Sequence, residues 1–157
     1  MIFEIALRNG WGLAMRMRVA ILAAMMLVID ATKIRLERID APETDQVCLN
    51  AKAIRWNCGI EARDQLAAHL AGQEIKCTSS GVDANRGTLA KCYLAGEDLN
   101  GWMVQQGWAL PYFRHSFIYA DAEKDARTRN SADCGRAHSL RRRRGVIATI
   151  KRPSWVR

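Results

Sequence analysis

The segment Lys33 to Ile39 alternates residue types as a half-buried strand does, and Asp40-Ala-Pro42 ends it, because proline has no N–H to give to a ladder. Downstream, Ile60, Arg63, Leu66, Ala67 and Leu70 recur at helical spacing within Gly59 to Leu70, and Gly72 follows as a stop. Glu74 to Thr78 and Thr88 to Leu94 read as short strands around the turn-rich stretch 79–85. Asp98 is a suitable N-cap for a helix over Leu99 to Gln106, with Gly107 as its stop. Trp108 to Tyr112 reads as a buried extended connector. Tyr119 to Arg129 reads as a charged helix with Tyr119, Ala122 and Ala126 on its apolar side. Strand, helix, two strands, helix, helix is not the alternation of a parallel α/β sheet. It predicts a small barrel with helices packed on it.

At 157 residues there is room for one domain with a real core. The net charge of +8 invites a nucleic-acid reading until it is located. Residues 131–157 carry 8 basic and 1 acidic residue, dominated by Arg141 to Arg144, against 16 basic and 15 acidic residues in 1–130. The body is close to neutral. The excess charge is therefore poor support for a basic nucleic-acid surface on the folded part.

Met15-Arg-Met-Arg18 followed by Val19 to Val28 has the pattern of a basic n-region and a short apolar h-region, with Ile29-Asp-Ala31 as the cleavage site. This predicts a signal peptide over 15–31 and a secreted or periplasmic protein with no lasting membrane association. The competing reading of the same run is a buried first strand. With export, five cysteines suggest disulfides. Cys48 and Cys58 flank a short segment, Cys77 and Cys92 flank a strand–turn–strand, and Cys134 is left over. No pair has zinc-ligand spacing.

The chemistry concentrates in Ile34-Arg-Leu-Glu-Arg-Ile-Asp-Ala-Pro-Glu-Thr44. Arg35 and Glu37 share one strand face, and Asp40 and Glu43 sit around the turn that ends it. Phosphodiester hydrolysis needs such parts: a carboxylate for a hard cation, another to activate water, and a positive group for the phosphate. This stretch resembles the signature strand of the staphylococcal-nuclease-like (thermonuclease) family, R-L-x-x-I-D-x-P-E-T. Asp45-Gln-Val-Cys48, Trp56-Asn-Cys58-Gly59, Leu89-Ala-Lys-Cys92, Gly96 to Asn100, Trp102-Met-Val104 and Gln106 to Leu110 are similar to a secreted branch of that family, in order.

The resemblance implies an α+β, mainly β fold: an OB-like five-stranded barrel with three helices. It implies calcium-dependent cleavage of DNA or RNA by a monomer. Asp40 would be a calcium ligand and the Ala41 carbonyl a second donor. Glu43 would be the general base, and Arg35 a phosphate clamp. Glu37 receives no role and reads as a surface charge.

Three departures accompany the resemblance. The family places a second arginine in D-x-Y-G-R-x-[LV]-A, whereas Asp83-Ala-Asn-Arg-Gly-Thr-Leu-Ala90 has glycine there and Arg86 one residue early. Arg86 is the remaining candidate for the phosphate. The family's D-G-D-T turn, whose second Asp is a calcium ligand, and the strand after it have no counterpart ahead of Ile34. The expected barrel thus lacks one strand, and Asp30 is the remaining acidic candidate. The tail from 131 replaces a family ending of G-L-W and P-W-x-W-R type. Read one base out of frame, codons permitted from Ala132 onward encode an ending of that kind, so the tail is read as a frame-shifted product.

These readings divide the chain into an N-terminal extension over 1–31, a nuclease-like domain over 32–130 and an aberrant basic tail over 131–157. The expected function is a calcium-dependent nuclease of impaired activity. The alternatives are a non-catalytic OB-like module binding nucleic acid or protein, and a decayed gene product.

Overall fold

The computed structural model describes residues 19–50, 52–112 and 117–129. Met15 to Arg18, Phe113, His115, Cys134, His138 and the tail with its shifted-frame reading lie outside the described residues.

Three strands open the fold: β1 (Val19–Ala23), β2 (Met26–Ile29) and β3 (Thr32–Leu36). Two short bridges, β4 (Ile39–Asp40) and β5 (Cys48–Leu49), lead to β6 (Arg55–Trp56) and helix α1 (Cys58–Leu70). The long hairpin β7 (Ile75–Val82) and β8 (Thr88–Leu94) follows, then β9 (Glu97–Asp98), α2 (Leu99–Gln105), β10 (Leu110–Pro111) and α3 (Ala120–Thr128). The main sheet runs β1-β2-β3-β8-β7, with β9 on β8. All its pairings are antiparallel except β3 with β8. The mainly β, OB-like α+β architecture with three helices is therefore present. The sheet is not closed, since β1 and β7 are its two edges.

The strand expected to be missing ahead of Arg35 is supplied by Met26–Ile29, in register from Met26 opposite Arg35 to Ile29 opposite Thr32. The apolar run expected to be an h-region is folded as the β1–β2 hairpin, and Ala24 and Leu27 are fully buried in the core. The buried-strand reading of that run is the one the structure follows. The physical reason is visible in the alternation of Met26–Ile29, which points Leu27 and Ile29 inward and leaves Met26 and Val28 half-buried. Cleavage after Ala31 would remove both strands.

The core joins Leu27, Leu36 and Ala90 of the sheet to Leu66 of α1 and Leu99, Met103 and Val104 of α2. Asp98 caps α2 as expected, accepting from the Gly101 amide at 3.1 Å. Its carboxylate also takes the Tyr119 hydroxyl at 3.1 Å and Lys91 Nζ at 2.9 Å, so one side chain joins β8, α2 and the start of α3. Burial, and then the Asp98 charge, raise the Tyr119 pKa well above 10.0. The hydrogen bond to Asp98 raises that of Lys91.

Beneath this network lies Asn100, a fully buried polar residue. Its Oδ1 accepts from the Cys92 amide at 3.1 Å, and its Nδ2 donates to the carbonyls of Glu37 and Ala90 at 3.0 and 3.2 Å. A polar side chain is tolerated there because its amide is itself partnered and pairs buried backbone groups of Glu37, Ala90 and Cys92. Truncation in Asn100→Ala leaves buried backbone groups unpaired, and urea unfolding should show a loss of roughly 2–4 kcal/mol. A loss below about 1 kcal/mol would mean water replaces the amide.

Above the ordinary tyrosine value of 10.0 the unfolded chain loses the Tyr119 proton while the folded chain keeps it. Lys91 acts in the same direction, losing its proton first in the unfolded chain. Stability should therefore be flat in these two groups below pH 10 and fall above it. In Tyr119→Phe the alkaline fall should become shallower, measured as the urea midpoint between pH 8 and about pH 11.

Candidate active site

Arg35 is the next-to-last residue of β3, between Met26 of β2 and Leu89 of β8. Its guanidinium pairs with Asp83 at 3.8 Å, and both side chains are largely buried. Asp83 opens the β7–β8 turn, where its Oδ1 accepts from the amides of Asn85 and Gly87 at 2.8 and 2.7 Å. The turn therefore fixes the carboxylate, and the carboxylate holds the arginine. Sequence reasoning passed over Asp83. The signal that could have found it is its place at the head of an Asp-x-Asn-x-Gly turn, where an Asp side chain bonds amides two and four residues on.

Arg86 is on the same turn, exposed, with φ 62°, and its amide donates to the Asp83 carbonyl at 3.1 Å. Arg35 and the backbone of Arg86 thus meet around one residue. A non-glycine residue in this left-handed conformation is unfavourable, and glycine would relieve it. At Gly87 a side chain would begin 3.0 Å from Asp83 Oδ2. Exchanging Arg86 and Gly87 would therefore relax one position while crowding the carboxylate that holds Arg35.

Glu37 is not the surface charge its sequence context suggests. Its side chain is 13% exposed and pairs with Arg38 at 3.3 Å, and it accepts from the Ser80 hydroxyl. Asp40, in β4, is paired with Leu110 of β10 and is half-buried, and Ala41 after it is buried. Glu43 is exposed on the turn after Pro42. Its amide donates to Gln46 Oε1 at 3.3 Å and its carbonyl accepts from the Gln46 amide at 2.9 Å. The Thr44 hydroxyl donates to the Leu22 carbonyl at 2.8 Å, which docks this turn on β1.

The β1–β2 connection borders the end of β3, since the Met25 carbonyl accepts from the Leu36 amide at 2.9 Å. That connection is Leu22-Ala-Ala-Met-Met26, with Ala23, Ala24 and Met25 buried. A hard cation such as calcium takes six to eight oxygen ligands and leans on carboxylates. No oxygen-bearing side chain stands in the stretch 22–26 to join Asp40. Asp30 cannot do so: it is exposed in the β2–β3 turn with φ 45°, at the opposite end of β3 from Asp40. Among the described residues no group of three or more His, Cys, Asp or Glu side chains is placed to hold a metal ion. The described donor set does not fit calcium.

Comparison with known proteins settles the family. The staphylococcal nuclease homologue family matches this chain over residues 33–132. The chain belongs to that family. The match begins at Lys33, so the β1–β2 hairpin lies ahead of it although it pairs with β3 in the fold. The succinoglycan biosynthesis protein ExoI of Rhizobium meliloti is 32% identical over 112 residues, which cover 69% of this chain and 58% of that protein. An uncharacterized endonuclease of Haemophilus influenzae is 29% identical over 99 residues, covering 62% of this chain and 50% of that protein. The chain thus spans about half the length of these curated relatives.

Two disulfides frame the staphylococcal-nuclease-like domain, Cys48–Cys58 and Cys77–Cys92. Three tryptophans are engaged in packing. Trp102 stacks on His69 with ring centroids 3.8 Å apart, and Trp56 and Trp108 pack on the Cys48–Cys58 bridge.

A native-state ligand raises the melting temperature in proportion to its binding. With the donor set short, calcium at about 10 mM should move the melting temperature by less than about 1 °C. A rise of several degrees would show that Asp40 and its neighbours hold the ion unaided.

Proposed function

We propose that this nuclease-family chain acts on the phosphodiester bonds of DNA or RNA, and does so weakly. The observation that carries the reading is the strand and turn from Arg35 to Glu43. It keeps the family's cation and carboxylate and holds both on backbone fixed by the sheet and by α1. Arg35 would receive the phosphate and stabilise the charge that builds on it in the transition state. Glu43, exposed to water, would take the proton of the attacking water.

Two features lower the expected rate. The Arg35 guanidinium is shared with Asp83, so phosphate must compete with a fixed carboxylate. Arg86 is one residue removed from the family's position and is turned into solvent on its loop. Loss of one donor of transition-state charge costs on the order of 100-fold in rate. The calcium requirement implied by the family would fall on Asp40 and the Ala41 carbonyl, and this donor set is too small to support a step derived through the ion. Two disulfides suit an oxidising compartment, which supports an exported protein. Among the described residues no helix is long and apolar enough to cross a membrane.

The test is cleavage of labelled single- and double-stranded DNA and RNA, with calcium and with chelator. Cleavage should be slow, and Glu43→Ala and Arg35→Ala should each reduce it by about 100-fold or more. Undiminished turnover in Glu43→Ala would remove it as the base. Retention of oligonucleotide with no cleavage in any condition would favour the binding-only alternative.

A further inference from the structure

We propose that the Cys48–Cys58 disulfide, Gln46 and Gly59 form a positioning clamp that fixes the Glu43 turn on the start of α1. The proposal rests on the reading of Glu43 as the base.

The turn is held from four directions, and three of them converge on one place. Gln46 returns to Glu43 twice, its side-chain oxygen taking the Glu43 amide and its own amide reaching the Glu43 carbonyl. The Gln46 carbonyl then accepts from the Gly59 amide at 3.3 Å, so the turn is bonded to the first turn of α1. Gly59 makes the approach possible: a Cβ there would lie 1.7 Å from the Glu43 carbonyl oxygen. No relaxation of a side chain relieves that clash, because the opposing atom is backbone. The Cys48–Cys58 bridge lies two residues after Gln46 on one side and immediately before Gly59 on the other, and both cysteines are buried. The fourth direction is the Thr44 bond to Leu22.

Glu43 itself is exposed, on a turn that lies outside any strand or helix. Without a covalent tie, such segments open at a small fraction of the global unfolding cost. The bridge closes a short loop around the Gln46–Gly59 contact, and so suppresses that local opening. Cys77–Cys92 offers an internal control. It joins directly opposed residues of β7 and β8 and has no bond to the Glu43 turn.

The experiment compares amide hydrogen exchange in the oxidised full chain, in the double variant Cys48→Ser/Cys58→Ser and in Cys77→Ser/Cys92→Ser. In the first variant, exchange at Gln46 and Gly59 should quicken by about tenfold or more relative to the amides of β2, a strand that neither disulfide touches. In the second variant that ratio should stay at its wild-type value. Equal effects of both variants, or an unchanged ratio in the first, would overturn the clamp. Should the first variant fail to fold, Gln46→Ala in the oxidised chain carries the same expectation at Gly59, and an unchanged ratio there overturns it.

Turnover separates the clamp from the catalytic reading. If the oxidised chain cleaves, loss of the Cys48–Cys58 bridge should lower kcat with KM nearly unchanged, and Gln46→Glu, which keeps the acceptor, should retain more of kcat than Gln46→Ala. Equal kcat in all of these would overturn a positioning role. A chain that cleaves nothing overturns the catalytic reading, and the exchange ratio still decides the clamp.

Discussion

Asn100 sits where the one parallel pairing of the sheet runs out. β3 and β8 are paired from Ile34 with Thr88 to Leu36 with Ala90, and the Glu37 amide adds one more bond to the Ala90 carbonyl. Beyond that point the two strands diverge, and the carbonyls of Glu37 and Ala90 both turn to the Asn100 amide. A parallel pair has no hairpin to hold it together, so its two strands must be brought side by side by something else. Here that agent is the first turn of α2. Arg35, two residues before Glu37, takes its place opposite Leu89 because this junction is closed. Replacing Asn100 by a leucine of similar size would keep the volume and lose all three bonds, which is why packing alone cannot substitute for it.

The elements that carry strong local patterns were legible in the sequence. Leu66 and Leu70 point into the core at the spacing that predicted α1, Asp98 caps α2, and the strand predicted over Thr88 to Leu94 has those bounds. The β1–β2 hairpin was hard to read because the run from Val19 to Val28 is apolar on every residue. Its period is hidden, and basic residues before it give the run the pattern of a leader as well. Only the partner strands reveal that alternate residues of β2 face opposite ways. The candidate site was legible as a list of residue types around Pro42. What was not legible is what each one touches. Glu37 looks solvated in a charged strand, but Ser80, forty-three residues away, covers it. Asp83 looks like turn punctuation, but it faces Arg35 across the sheet.

The electrostatic character of the site follows from these partners more than from the net charge. The body of the chain is almost neutral, and Arg35, Arg38 and Lys91 each have a carboxylate beside them. Pairs of this kind hold their geometry, but they leave little field for drawing a polyanion toward the surface. Association with nucleic acid by this domain would accordingly have a shallow salt dependence, since few phosphate counterions would be displaced by cations already matched.

Cys77 and Cys92 face each other directly across the β7–β8 hairpin. A slip of one residue in that hairpin would send the two thiols to opposite faces of the sheet, where no bond could form between them. Oxidation therefore works as a check on alignment. It seals the hairpin only when the strands have met correctly, and it then preserves that alignment through any later opening. The register that brings Thr88 and Leu89 alongside Ile34 and Arg35 is in this way recorded in a covalent bond.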